Sequence, residues 1–387
     1  MDIGGYGILT PDNSDSSCRD QHKKNSFPWH IEESESVLDF AGMSDTYAKE
    51  ETKESTLPVS LDIPYRFLNT GATCPGIGYG MGGEGKETTE ELYAAVRAAI
   101  DSGYRSFDTA PLYQDGTIER VLGQAIRDSG VDRSEFFVAT KIWPTFARKP
   151  HKSLELSLNN LGLEYVDCLL LHWPIPLKPV PGEIYAIGST WDAGWDYKKT
   201  WIQMQQLPKS QVKAIGLCNF TVNRLKQLLS SPSTTVVPAV LQVEGHPELS
   251  QKNLMNFCRK HSIQVFCYSP LAKNQLHNNV INHIAKQHGV NPAQVAISWA
   301  VQRGTVPLPK SVNKDRIRGN IQLVKLYEDD MELLDSLGRH PRRMVNPRLF
   351  FGHDIFENNI DCYEDETVEY KDDAHKPNEE GNQRKRR

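Results

Sequence analysis

The chain has 387 residues, 39% of them hydrophobic and 24% charged, with a formal net charge of −5 and a mean hydropathy of −0.51. Its apolar runs, such as Cys168 to Leu171, are too short to cross a bilayer, and the N-terminus lacks the basic start and apolar stretch of a secretory signal. Seven cysteines (Cys18, Cys74, Cys168, Cys218, Cys258, Cys267, Cys362) lie far apart with no CxxC pair and no histidine cluster, which argues against a zinc site or a disulfide framework. The expectation is a cytoplasmic, monomeric globular protein without metal, membrane or nucleic-acid partners.

Charge divides the chain into three parts. Residues 1–57 carry 12 acidic and 5 basic residues, and residues 353–387 carry 11 acidic and 6 basic, whereas the middle, 58–352, has a balance of +7. Both ends are polar and lack periodic apolar positions, so they are expected to be flexible extensions on one folded domain spanning 58–352. The basic finish Arg384-Lys385-Arg386-Arg387 reads first as a solvated charge run, with a nuclear address or an anion patch as the alternatives.

In the middle, a hairpin signal around Asn69-Thr70-Gly71 comes first, with a strand at Ile77 to Tyr79 behind it. Thr88 and Glu91 form a capping-box pattern, and Leu92, Ala95, Val96, Ala99 and Ile100 keep one apolar face until Gly103. Strands are then expected at Tyr104 to Phe107, Phe136 to Thr140, Val166 to Leu171, Lys213 to Ile215, Ala239 to Gln242, Gln264 to Cys267 and Thr305 to Leu308. Helices alternate with them at 117–128, 150–161, 196–206, 221–229, 250–260, 277–287, 291–302 and 313–322. Short apolar strands between amphipathic helices imply a parallel sheet with helical crossovers, and eight such units in this length fit a (β/α)8 barrel of the TIM type better than a doubly wound sheet.

One motif points elsewhere. Gly78-Tyr79-Gly80-Met81-Gly82-Gly83 matches the dinucleotide pattern G-x-G-x-x-G, but Glu84, Gly85, Lys86 and Glu87 intervene before the helix cap, and two carboxylates there would repel a pyrophosphate. The glycines are therefore read as turn and close-packing residues.

In a barrel, residues just past each strand gather at one mouth. Three successive strand ends carry Asp108 with Tyr113 nearby, Lys141, and His172 before Trp173-Pro174. Together these make an acid–base set for a carbonyl. A lysine cation pulls a phenol's pKa down from about 10, a carboxylate keeps the lysine charged, and a neutral histidine orients the substrate oxygen. Each residue singly also has a packing or capping explanation, and sequence spacing does not establish proximity.

The run Gly103-Tyr104-Arg105-Ser106-Phe107-Asp108-Thr109-Ala110, with Tyr113, Glu119 and Gly123, resembles the aldo-keto reductase signature. Val138 to Trp143, Leu169 to Pro174, Ala214 to Phe220 and Pro307 to Ser311 resemble its further motifs, in order, over roughly residues 64–350. The stretch Trp195 to Pro208 is most similar to the fungal glycerol dehydrogenase and aldehyde reductase branch. The resemblance implies a (β/α)8 barrel and an NADP(H)-dependent oxidoreductase that reduces a small-molecule carbonyl by hydride transfer, with Tyr113 as general acid, Lys141 and Asp108 tuning it, and His172 orienting the carbonyl. It implies Cys218, Asn219 and Gln242 at the nicotinamide carboxamide, and Tyr268 stacked on the ring with Ser269 and Leu271 beside it. Lys310, Ser311 and Arg316 would take the 2′-phosphate, Asn320 would lie near the adenine, and Trp143 and Trp173 would line the substrate pocket.

Several positions depart from the family pattern. Cys218 replaces a serine, which weakens one carboxamide contact. Met81-Gly82 replaces larger pocket residues, which should widen the pocket. Gly319 stands where an adenine contact is usual. The chain from Leu271 passes almost directly into the next helix, without the loop that usually covers the cofactor. The shortened loop and Cys218 support an alternative, a catalytically weak NADPH-binding regulatory or scaffold protein on the same barrel.

Overall fold

The computed structural model describes residues 58–82, 86–181, 185, 190–274, 278–345, 348–352 and 355–356. The extension at 1–57 lies outside the described residues, as does most of 353–387. Within that stretch Ile355 and Phe356 are described, and both are buried.

A two-stranded antiparallel hairpin, β1 (Tyr65–Phe67) and β2 (Thr73–Pro75), precedes the barrel. Asn69 Nδ2 donates to the Pro238 carbonyl at 3.0 Å, while Leu68 and Cys74 join the interior cluster containing Phe137, Val240 and Val306 near the strand starts. The hairpin thus plugs the N-terminal end.

Eight parallel strands follow: β3 (Tyr79–Gly80), β4 (Ser106–Asp108), β5 (Phe137–Ile142), β6 (Val166–Leu171), β7 (Val212–Cys218), β8 (Val240–Glu244), β9 (Gln264–Tyr268) and β10 (Val306–Leu308). Each pairs with its neighbour in chain order, from β3 through to β10. Two further bonds bring the first and last strands together, Gly78 N to the Pro307 carbonyl at 3.0 Å and Gly80 N to the Pro309 carbonyl at 3.1 Å. A Cβ on Gly80 would lie 2.6 Å from the Leu308 carbonyl oxygen, and one on Gly78 2.6 Å from Leu308 Cδ2. The G-x-G pair is thus close packing at the barrel seam.

The helices α1 (Thr89–Asp101), α2 (Thr117–Asp128), α3 (Pro150–Leu161), α4 (Tyr197–Met204), α5 (Val222–Leu229), α6 (Lys252–Lys260), α7 (Asn279–His288), α8 (Pro292–Gln302) and α9 (Lys314–Ile321) fall where the periodicity places them, within a few residues. The capping box forms, with Thr88 Oγ1 accepting from Glu91 N at 3.2 Å and Glu91 Oε2 from Thr88 N at 2.9 Å. Helix α10 (Glu328–Ser336) was not expected, because its sequence EDDMELLDS buries only Asp330 and Leu334 fully and so shows no clear apolar face.

Candidate active site

Alternation along the strands decides which side chains meet. Phe137 and Ala139 of β5, Cys168 and Leu170 of β6, Val240 of β8 and Phe266 of β9 fill the barrel interior. Two residues further along each of these faces come Lys141, His172, Gln242 and Tyr268, at the C-terminal mouth. Asp108 ends β4, and Cys218 ends β7.

Lys141 Nζ donates to Asp108 Oδ2 at 2.7 Å and to the Thr109 carbonyl at 2.9 Å, with the two side chains 1% and 7% exposed. Gln242 Nε2 donates to the other oxygen, Asp108 Oδ1, at 2.7 Å. The ammonium stands 5.3 Å from the Tyr113 ring centroid, and the Tyr113 and His172 rings meet edge to face at 6.2 Å. The four strand-end residues singled out from sequence therefore form one cluster.

Burial alone would lower the Lys141 pKa, but Asp108 and Tyr113 beside it win and raise it, so the lysine stays a cation. His172 is held well below its ordinary value by burial and by the Lys141 charge, which keeps the imidazole neutral; its Nδ1 is buried without a hydrogen-bond partner among the described residues. Tyr113 differs from the sequence expectation. Lys141 does pull its pKa down, but burial, helped by Asp108, outweighs that pull and raises it. The phenol is thus protonated, as a proton donor must be before it acts.

The groups around this cluster are partly committed. Asn219, with φ 62°, donates from Nδ2 to the His172 carbonyl at 3.0 Å and accepts from Tyr268 Oη at 2.8 Å. Cys218 is buried among the interior side chains, and burial pushes its thiol pKa up against the pull of Lys141. Ser269 also has a left-handed backbone, φ 50°, and Leu271 is partly buried against the core. Lys310 is already ion-paired with Glu87, a residue noted in the sequence only as an obstacle to phosphate. Ser311 Oγ accepts from Asn313 N at 3.1 Å just before α9. Arg316, in the first turn of α9, is exposed and its guanidinium has no partner among the described residues, while Asn320 is buried one turn on.

The other side is an aromatic wall. Trp143 meets the His172 ring edge-on at 5.4 Å, and Trp173 stacks on it at 6.0 Å and 13°. Trp143 Nε1 donates to the Tyr185 carbonyl at 3.1 Å. Phe351 lies 6.3 Å from Trp143 and 5.4 Å from Trp173, and Phe356 lies 6.4 Å from Trp173. Sequence reasoning named the two tryptophans and read residues 174–200 and 341–356 as pocket walls. It did not name Tyr185, Phe351 or Phe356 within them, because residue type alone does not show which side chains of these segments turn toward the site. A Cβ on Gly82 would stand 3.0 Å from Tyr113 Oη, so this glycine marks a close approach of the backbone to the phenol. Among the described residues no group of three His, Cys, Asp or Glu side chains is placed to hold a metal ion, and no helix is long and apolar enough to cross a membrane.

The model of the aldo/keto reductase family matches residues 76–339. The chain is 43% identical over 305 residues to the aldehyde reductase YPR1 of Saccharomyces cerevisiae, covering 75% of this chain and 96% of that protein. It is 44% identical over 296 residues to the glycerol 2-dehydrogenase (NADP(+)) of the same yeast, covering 72% and 93%. Among solved structures, the aldose reductase of Schistosoma japonicum superposes with a TM-score of 0.70 at 30% identity, over 77% of this chain and 99% of that one. Over the parallel eight-stranded barrel and the span of the match, the chain belongs to the aldo/keto reductase family.

Proposed function

We propose that the protein is an NADPH-dependent reductase of aldehydes or ketones in which Tyr113 gives the proton to the carbonyl oxygen. The observation that carries this reading is the buried Lys141–Asp108 pair at 2.7 Å with the Tyr113 ring 5.3 Å from the ammonium. A cation fixed this close stabilises the phenolate that remains once the proton has left, so the donor becomes stronger as it acts. Asp108 holds the ammonium in place, and Gln242 fixes Asp108 in turn. His172, neutral and wedged between Trp143 and Trp173, offers a hydrogen bond to the same oxygen without adding a second charge.

The residues present suit the cofactor. Gln242 keeps its amide oxygen, and Asn219 its second amide hydrogen, for a carboxamide; the exposed Arg316 guanidinium, Ser311 and the first turn of α9 would form a pole for a phosphate. Tyr268, whose hydroxyl is tied to Asn219, would present its ring to the nicotinamide. When bound, NADPH supplies the hydride. The relatives named an aldehyde reductase and an NADP-dependent glycerol dehydrogenase favour the same chemistry.

The test is NADPH consumption by the purified chain with glyceraldehyde and a panel of small aldehydes, with Tyr113→Phe alongside. Turnover is expected to fall by about 10² to 10⁴ in the variant, with NADPH binding retained. Tight NADPH binding with no turnover by the wild type would replace this reading with that of a cofactor-binding regulatory protein.

A further inference from the structure

The carboxylate of Glu244, at the end of β8, is completely buried yet forms no part of the Tyr113 cluster. Its oxygens accept two successive backbone N–H groups from a segment about a hundred residues away: Met344 N donates to Oε1 at 2.6 Å and Val345 N to Oε2 at 2.9 Å. His246, also fully buried, lies with Nε2 3.1 Å from Oε1. Gln251 Nε2 donates to the Glu244 carbonyl at 2.9 Å, which fixes the turn leaving β8. The same turn grips the segment further out. Arg342 N donates to the Glu248 carbonyl at 2.9 Å, and the Arg342 guanidinium pairs with the Glu248 carboxylate at 2.6 Å. Gly338 sits so close that a Cβ would fall 2.6 Å from Ser250 Oγ.

A few residues beyond Val345, this held segment supplies Phe351 and Phe356, the rings that pack on Trp143 and Trp173. Between the anchor and those rings the described chain forms only the short helical turn Arg348–Phe351, so the placement of the aromatic wall depends on where the chain is fastened. A buried carboxylate that takes one backbone N–H on each oxygen is a strong fastening. The two N–H bonds offset part of its lost hydration, and each goes to a different oxygen, whereas an amide in its place offers a single acceptor oxygen.

We propose that Glu244, supported by His246, is a positioning residue for substrate: it anchors residues 342–345 so that Phe351 and Phe356 close the aromatic side of the pocket. For its substrate readout this rests on the reductase reading above. The anchor acts, through the aromatic wall, on the binding of bulky carbonyl compounds.

The test compares the wild type with Glu244→Gln, which leaves one N–H without an acceptor, and with Val345→Pro, which removes one donor from the partly buried segment and spares the barrel. Both variants are expected to raise KM for an aromatic aldehyde such as 4-nitrobenzaldehyde about tenfold, with kcat and the NADPH dissociation constant within about twofold. Trypsin cleavage after Arg339, Arg342, Arg343 or Arg348 should accelerate in both. Unchanged KM with unchanged cleavage would overturn the proposal, as would a parallel loss of NADPH binding and kcat, which would mark Glu244 as merely structural. If Glu244→Gln does not fold, Val345→Pro alone decides. A wild type that reduces no aldehyde would refute the reductase reading, while the trypsin comparison still decides whether the anchor exists.

Discussion

The Gln242 amide and the Lys141 ammonium grip opposite oxygens of one carboxylate, that of Asp108, each at 2.7 Å. Asp108 is therefore the hub of the site: it holds the cation that acts on Tyr113 and ties β8 to β4 across the barrel interior.

Removing the hub's charge leaves a buried lysine without compensation. Asp108→Asn is expected to destabilise the folded chain by about 3–5 kcal/mol, the usual cost of breaking a buried pair from one side. Urea denaturation checks this. A loss below about 1 kcal/mol would mean that solvent reaches Lys141.

The barrel seam gives a second prediction. Gly80→Ala drives a Cβ against the Leu308 carbonyl oxygen, which belongs to the backbone and cannot rotate away. The seam bonds at Gly78 and Gly80 should stretch, and stability should drop by about 1–3 kcal/mol. An unchanged melting temperature would show that the seam opens without cost.

His172 predicts a pH effect. Its pKa is depressed in the folded state, by burial first and then by Lys141, below the 6.5 of an unfolded chain. Below that value the unfolded state binds a proton that the folded state refuses, so this contribution is full above pH 6.5 and is lost as pH falls through the lower folded value. His172→Gln should flatten the decline in denaturation midpoint on the acid side of pH 6.5. An identical decline in both proteins would assign it to other groups.

The phosphate end separates two roles. Arg316→Ala should raise the NADPH dissociation constant about tenfold while leaving that for NADH nearly unchanged. Glu87→Gln releases Lys310 from its carboxylate and should tighten NADPH binding severalfold at low salt. Titrations followed by cofactor fluorescence read both effects; equal small changes for NADPH and NADH would place the phosphate elsewhere.

Much of this molecule is written in local patterns. Strand and helix alternation, the capping box at Thr88 and Glu91, and the glycine stops are short-range effects of propensity and periodicity, and they determine a parallel barrel with Asp108, Lys141 and His172 at successive strand ends. Helix α10 escaped notice because it buries too little to show a face. What only the tertiary structure decided depends on partners far apart in the chain. Burial, which no sequence window displays, raises the Tyr113 pKa despite Lys141. The match of Gly78 and Gly80 to a nucleotide motif becomes a seam because β10 returns against β3. Glu87 finds Lys310, and Glu244 finds Met344 and Val345, across loops of 223 and about 100 residues. A charge or an N–H group in sequence does not name its partner; chain closure chooses it.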